Sequence, residues 1–229
     1  MIFLSSTQNL NFSSRNNPVK PFTLKTKAGN LSCFEIPAKK LCNSPKLYEI
    51  SHFFCKNFAS LTEDPYWLSY NKPYNKESIA RGFFNYLNSK ILRDDGNLTM
   101  LVAEDENNIV QGACLSYTYD ALPSTIKNLC YVDSIAINPE FRKNNVAKIL
   151  LEKTGDINKR TFTDIFLTGE VLAKDFYKKL GFSELNKNDK SQRCFINFLE
   201  KTREGEMKYL IPYTKPLQDN KPRWFSKFA

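Results

Sequence analysis

Tyr177 stands in the segment Ala173-Lys174-Asp175-Phe176-Tyr177-Lys178-Lys179-Leu180-Gly181-Phe182, one turn before a glycine. Leu172, Phe176 and Leu180 recur at helical spacing with Ala173 and Tyr177 beside them, Lys178 and Lys179 suit the negative end of a helix dipole, and Gly181 suits the residue that ends a helix. A phenol held on a short helix is protonated at neutral pH and can act as a general acid. Upstream, Arg142-Lys143-Asn144-Asn145-Val146-Ala147 follows an apolar strand, Val132 to Asn138, and a turn at Asn138-Pro139, and opens an amphipathic helix. A strand, a loop and a helix N-terminus in that order present backbone N–H groups to phosphate.

Together the two stretches resemble the GNAT acetyltransferase family, whose coenzyme A motif runs Arg/Gln-x-x-Gly-x-Gly/Ala and whose later motif ends Phe-Tyr-x-x-x-Gly-Phe. Phe176-Tyr177 with Gly181-Phe182 match the second motif, and Arg142 and Ala147 match the first. Asn145 stands where the family usually has glycine, and asparagine is the side chain that best tolerates positive φ after glycine. Glu170 stands three residues before Ala173, where the family often has asparagine. The resemblance covers roughly residues 97 to 200 and, more loosely, the chain from about residue 22.

That resemblance implies transfer of an acetyl group from acetyl-coenzyme A to an amine by direct attack in a ternary complex. It assigns the pantetheine arm and thioester oxygen to Ile135-Ala136-Ile137 at a strand bulge, the pyrophosphate to Arg142, Lys143, Asn144, Asn145, Val146 and Ala147, and further coenzyme contacts to Ala173 and Phe176. Tyr177 would protonate the leaving thiolate. Asp133 occupies a strand position where some relatives carry a catalytic histidine, and Glu170 lies at the mouth of the same strands. A carboxylate is a weak base toward an ammonium, so either would need a site that raises its proton affinity, or a relay of water. Asp133, Glu170 and a water chain stay open as the base.

Tyr66, Trp67, Tyr70 and the nearby Tyr74 form an aromatic cluster that reads either as a wall for the acceptor amine, through stacking and cation–π contact, or as ordinary packing. The acceptor itself, a small amine or a protein amine, is not written in the sequence.

The 229 residues, 41% of them hydrophobic and 14% aromatic, suffice for one substantial core. A net charge of +9 fits an anionic partner, and coenzyme A would meet that need as well as nucleic acid does. Lys215, Lys221, Arg223 and Lys227 alternate with Trp224, Phe225 and Phe228, but no nucleic-acid module accompanies them. Six cysteines, at 33, 42, 55, 114, 130 and 194, are scattered without a Cys-x-x-Cys pair, and His52 is the only histidine, which argues against a metal site. Cys114 and Cys130 fall in apolar strands, as free thiols of a reducing compartment would. No apolar run has the length of a membrane span, so a cytoplasmic protein is expected, with export as an effector left open, and the chain as monomer or homodimer undecided. A non-catalytic acyl-coenzyme A sensor or scaffold of the same fold is the alternative function.

Residues 1–21, rich in Ser and Asn, read as a mobile arm, 22–200 as the acetyltransferase-like domain and 201–229 as a basic aromatic extension. Phe22 to Thr26 and Leu31 to Ile36 flank Ala28-Gly29-Asn30 as a hairpin, and Ser44-Pro45 caps a helix carrying Leu47, Ile50, Phe54 and Phe58. A second helix runs from about Glu77 to Leu92. Leu98 to Glu104 and Ile109 to Tyr117 form a hairpin, Cys130 to Asn138 a strand, Asn144 to Lys153 a helix, Phe162 to Thr168 a strand, Val171 to Leu180 the tyrosine helix, and Cys194 to Leu199 a closing strand. This order predicts an α/β (α+β) fold with a mixed, mostly antiparallel sheet, helices on both faces and, from the family resemblance, splayed middle strands.

Overall fold

Gly29 opens the sheet by taking a φ of 134°, a backbone that side chains disfavour. Thr26 Oγ1 donates to the Gly29 carbonyl at 2.6 Å and accepts from the Ala28 N–H at 3.1 Å. The turn joins β1 (Phe22–Thr26) to β2 (Gly29–Ile36) as the expected antiparallel hairpin. The structure, a computed structural model, describes residues 19–57, 76–92, 98–118, 129–158, 164–170, 173–186, 188, 193, 196–197 and 210–216.

After a short α1 (Ala38–Leu41), Ser44 caps α2 (Pro45–Asn57), its Oγ accepting from the Leu47 N–H at 3.1 Å with Pro45 in the first helical position. Leu47, Ile50 and Phe54 are fully buried, and Phe54 meets Phe83 of α3 (Lys76–Leu92) edge to face at 5.6 Å. The hairpin of β3 (Thr99–Glu104) and β4 (Val110–Thr118) turns on Asp105, whose Oδ1 accepts from the N–H groups of Asn107 and Ile109. β5 (Leu129–Ile137) leads through a 3₁₀ turn, Pro139–Phe141, into α4 (Val146–Asn158). β6 (Asp164–Glu170), α5 (Lys174–Lys179), β7 (Ser183–Glu184) and β8 (Leu210–Pro216) complete the described elements.

One eight-stranded sheet runs in the order β1-β2-β3-β4-β5-β6-β8-β7. Among the described strands only β5 and β6 run parallel, so the sheet is mixed and mostly antiparallel as expected. Alternation along the strands divides the core. Met100, Val102 and Leu115 pack toward α1, α2 and α3, whereas Leu101, Val132, Ile165 and Leu167 pack toward α4 and α5.

Several boundaries differ from the sequence reading. α4 starts later and runs further than Asn144 to Lys153, because Asn144 and Asn145 belong to the loop that turns into it. The tyrosine helix is shorter than Val171 to Leu180, with Ala173 preceding it and Leu180 following it. β6 is displaced two residues from Phe162 to Thr168. The expected closing strand at Cys194 to Leu199 is overturned: Arg193, Ile196 and Asn197 are helical, and the closing strand is β8 instead. Pro212 and Pro216 argue against a strand from sequence, since proline lacks a ladder donor. The Pro212 carbonyl nevertheless accepts from the Leu185 N–H at 3.0 Å. The sheet therefore takes up residues beyond 200 that the sequence reading assigned to an extension.

Candidate active site

The parallel pairing of β5 with β6 runs from Leu129↔Asp164 to Val132↔Leu167 and stops there, although both strands continue. A bulge explains the parting. Leu115 faces Ser134 and Ser116 faces Val132, so Asp133 is an extra residue on β5, which bends and twists the strand. The bulge also shifts the alternation: Val132 and then Ile135 and Ile137 pack toward α4, while Ala136 packs toward α2 and α3. Tyr131 and Thr168 hydroxyls lie 3.0 Å apart across the two strands at the point of divergence. Ile135, Ala136 and Ile137 remain in register with Cys114, Ala113 and Gly112 of β4 and have no register partner on β6. The bulge thus falls two residues before the segment expected to hold the thioester.

Asp133 points toward the α3 layer. Its Oδ1 accepts from the Tyr86 hydroxyl at 2.7 Å and its Oδ2 from the Ser134 hydroxyl at 2.9 Å. Tyr86 was missed in the sequence. Its ring stacks on Phe83 at 5.8 Å with Lys90 Nζ 5.5 Å from the ring centre. The available signal was its place on the α3 face that carries Phe83 and Leu87, where a hydroxyl at the tip of an apolar side chain must meet a polar partner.

The loop after Phe141 is built by its own side chains. Arg142 donates through Nε to the Ile137 carbonyl at 3.1 Å and through Nη2 to the Asn57 carbonyl at 2.9 Å, tying the end of β5 to the end of α2. Lys143 and Asn145 adopt φ of 62° and 63°, so the position where the family resemblance expects glycine does use left-handed backbone. Asn144 accepts from the Lys27 N–H at 3.2 Å and donates to the Arg142 carbonyl at 3.1 Å, which anchors the loop to the first hairpin. The Ile149 N–H bonds the Asn145 carbonyl at 2.9 Å and starts α4. Val146 is buried and Ala147 partly so. A β-carbon on Gly112 would stand 3.1 Å from Ile137 Cδ1 and 3.3 Å from Val146 Cγ1, so glycine there lets the first turn of α4 sit close to the sheet.

Tyr177 lies on the opposite face from Asp133, in the cluster that packs with α4, and is 8% exposed. Its ring packs 5.2 Å from that of Tyr213 and 5.9 Å from that of Phe182. Gly181, at φ 83°, ends the helix: the Gly181 N–H bonds the Lys178 carbonyl at 3.0 Å and the Phe182 N–H bonds the Tyr177 carbonyl at 3.1 Å. Lys215 Nζ donates to the Leu180 carbonyl at 2.7 Å. Phe176 is partly exposed beside Tyr177. Glu184 joins Lys174 at 3.0 Å and Lys178 at 3.3 Å; the hydrogen bond from Lys174 leads in holding the carboxyl below its ordinary range, and the same bond raises Lys174.

Glu170 is the last residue of β6, in register with Leu210. Tyr66, Trp67, Tyr70 and Tyr74 lie outside the described residues. Burial pushes the Cys33 thiol up to about 11 and those of Cys55 and Cys114 up to about 12, so these are inert packing groups near neutral pH. Among the described residues no helix is long and apolar enough to cross a membrane.

Residues 96–184 match the family described as Acetyltransferase (GNAT) domain. An acetyltransferase of the GNAT family from Staphylococcus aureus Mu50 superposes with a TM-score of 0.52 at 14% identity, over 81% of this chain and 99% of its own. Tetrahymena GCN5 superposes with a TM-score of 0.50 at 13% identity, over 89% of this chain and 99% of its own. At these identities the likeness is one of fold. No curated protein matches the chain. The matched stretch, residues 96–184, carries strands β3 to β7 of the mixed sheet described above.

Proposed function

We propose that the protein transfers the acetyl group of acetyl-coenzyme A to an amine acceptor within a ternary complex. The observation that carries this reading is the fork between β5 and β6, which opens beside a loop holding Asn145 at positive φ ahead of a 13-residue helix. The fit to a phosphorylated, thioester-bearing molecule rests on that loop and on the β6-facing side of Ile135 to Ile137, beyond the last parallel register pair. Acetyl-coenzyme A, when bound, supplies the acetyl group on a thioester.

The chain's own groups divide the remaining work. Backbone N–H groups from Lys143 to Ala147 bind phosphate oxygens, with the Arg142 side chain holding the loop by its bonds to Ile137 and Asn57. The strand backbone at Ile135 to Ile137 aligns the pantetheine arm and polarises the carbonyl. Ala173 and Phe176 flank that arm. Tyr177 donates its phenolic proton to the leaving sulfur. On the other face, the Tyr86 and Ser134 hydroxyls orient Asp133 to accept a proton from the amine, directly or through water. Glu170, at the end of β6, is the rival base. The fork lets groups on the two faces act on one bond.

A sensor that binds acyl-coenzyme A without turnover is the second reading, and the burial of Tyr177 is the observation that favours it. Titration with acetyl-coenzyme A by calorimetry, followed by mass spectrometry of amines acetylated in a cell extract, tests both. Binding with acetylated product supports the enzyme, binding without product supports the sensor, and no binding at millimolar ligand removes both.

A further inference from the structure

Tyr213 of β8 is fully buried, and among the described residues its hydroxyl has no hydrogen-bond partner. Such a group is unfavourable in a free protein, and a phenylalanine would fill the same space without it. Its location is specific. A β-carbon built on Gly169 would stand 2.7 Å from Tyr177 Cδ2, closer still to Tyr177 Cε2, and 3.0 Å from Tyr213 Cε2. In a tyrosine ring Cε2 adjoins the carbon that bears the hydroxyl, so both phenol ends approach Gly169. Gly169 in turn lies two residues past Leu167, the last β6 residue in register with β5. Two phenols therefore converge at the fork.

We infer that Tyr213 is a positioning residue whose hydroxyl donates a hydrogen bond to the pantetheine and thioester arm of acyl-coenzyme A at the β5–β6 fork. The inference rests on the proposed function and deepens it by adding a second phenol beside Tyr177. Burial, followed by the nearby carboxylates of Glu184 and Asp175, pushes the Tyr213 phenol up, so the group stays a donor through the neutral range. Packing against Tyr177 at 5.2 Å means that the bond also fixes the plane of the Tyr177 ring. Glu184 is in register with Tyr213 across β7 and β8, which ties the residue to the same elements that hold the tyrosine helix.

The test compares wild type with Tyr213→Phe by thermal melting of the free proteins and by calorimetric titration with acetyl-coenzyme A. The free variant is expected to melt at or above the wild-type temperature, and its affinity for acetyl-coenzyme A to fall about tenfold, the size of one hydrogen bond to a ligand. A purely structural role would lower the melting temperature and leave affinity unchanged. Equal affinity in the two proteins overturns the inference, as does a clear fall in the melting temperature of the free variant. Wild-type protein that binds no acetyl-coenzyme A overturns the functional reading itself, which separates the two failures.

Discussion

Gly169 and Tyr177 are matched in shape: the phenol ring of Tyr177 occupies the volume that a side chain at residue 169 would need. The glycine of β6 thereby seats the tyrosine helix on the sheet. Gly169→Ala should force the rings of Tyr177 and Tyr213 to move, since neither ring has a flexible end to swing aside. The expected loss is about 1–3 kcal/mol of stability, read from denaturant melts. A wild-type midpoint in this variant would show that the ring has room.

Tyr177→Phe keeps the ring and removes the proton. If the hydroxyl protonates the leaving sulfur, kcat should fall about 10²-fold or more while the Kd for acetyl-coenzyme A stays close to wild type. Single-turnover measurements keep product release from masking the effect. Unchanged kcat would return Tyr177 to a packing role.

Asn145 at φ 63° gives a paired prediction. Asn145→Gly should bind acetyl-coenzyme A as well as wild type or better. Asn145→Val, β-branched in a left-handed backbone, should lose about 1–2 kcal/mol of stability and bind more weakly. Equal affinity across the three proteins would mean that the loop backbone is not part of the cradle.

Tyr86 and Asp133 should be energetically coupled. Tyr86→Phe and Asp133→Asn, made singly and together, are expected to show an interaction energy of about 1–3 kcal/mol in stability. Asp133→Asn should also lower kcat/KM for the amine at a fixed neutral pH about 10²-fold. A wild-type kcat/KM in that variant would pass the base role to Glu170 or to water.

Glu184 supplies a pH dependence whose sign follows from its lowered carboxyl. Folded Glu184 holds a proton less readily than the unfolded residue, so the unfolded chain gains protons first as the solution is acidified. The contribution of Glu184 is complete above the ordinary carboxylate range and disappears as pH falls through the folded value. The melting-temperature difference between wild type and Glu184→Gln should therefore be positive at pH 7 and shrink toward zero in acid. A difference that is constant with pH would exclude the Lys174 and Lys178 pairing as its cause.

Local patterning was enough to determine much of this molecule. The Gly29 hairpin, the Ser44-Pro45 helix start, the Asp105 hairpin and the Gly181 stop are all written in short-range chemistry, where one residue meets the backbone a few residues away. The family resemblance added the expectation of left-handed backbone at Asn145, where its motif has glycine. What only the tertiary structure decided depends on residues far apart in the chain. The bulge at Asp133 follows from the register of β4 against β5, the Tyr86 bond spans α3 and β5, and Arg142 closes on Asn57. Tyr213 reaches Tyr177 only because β8, a strand disguised by two prolines, inserts between β6 and β7. Spacing along a chain fixes which residues share a face of one element. Which faces meet depends on how the whole sheet pairs and packs.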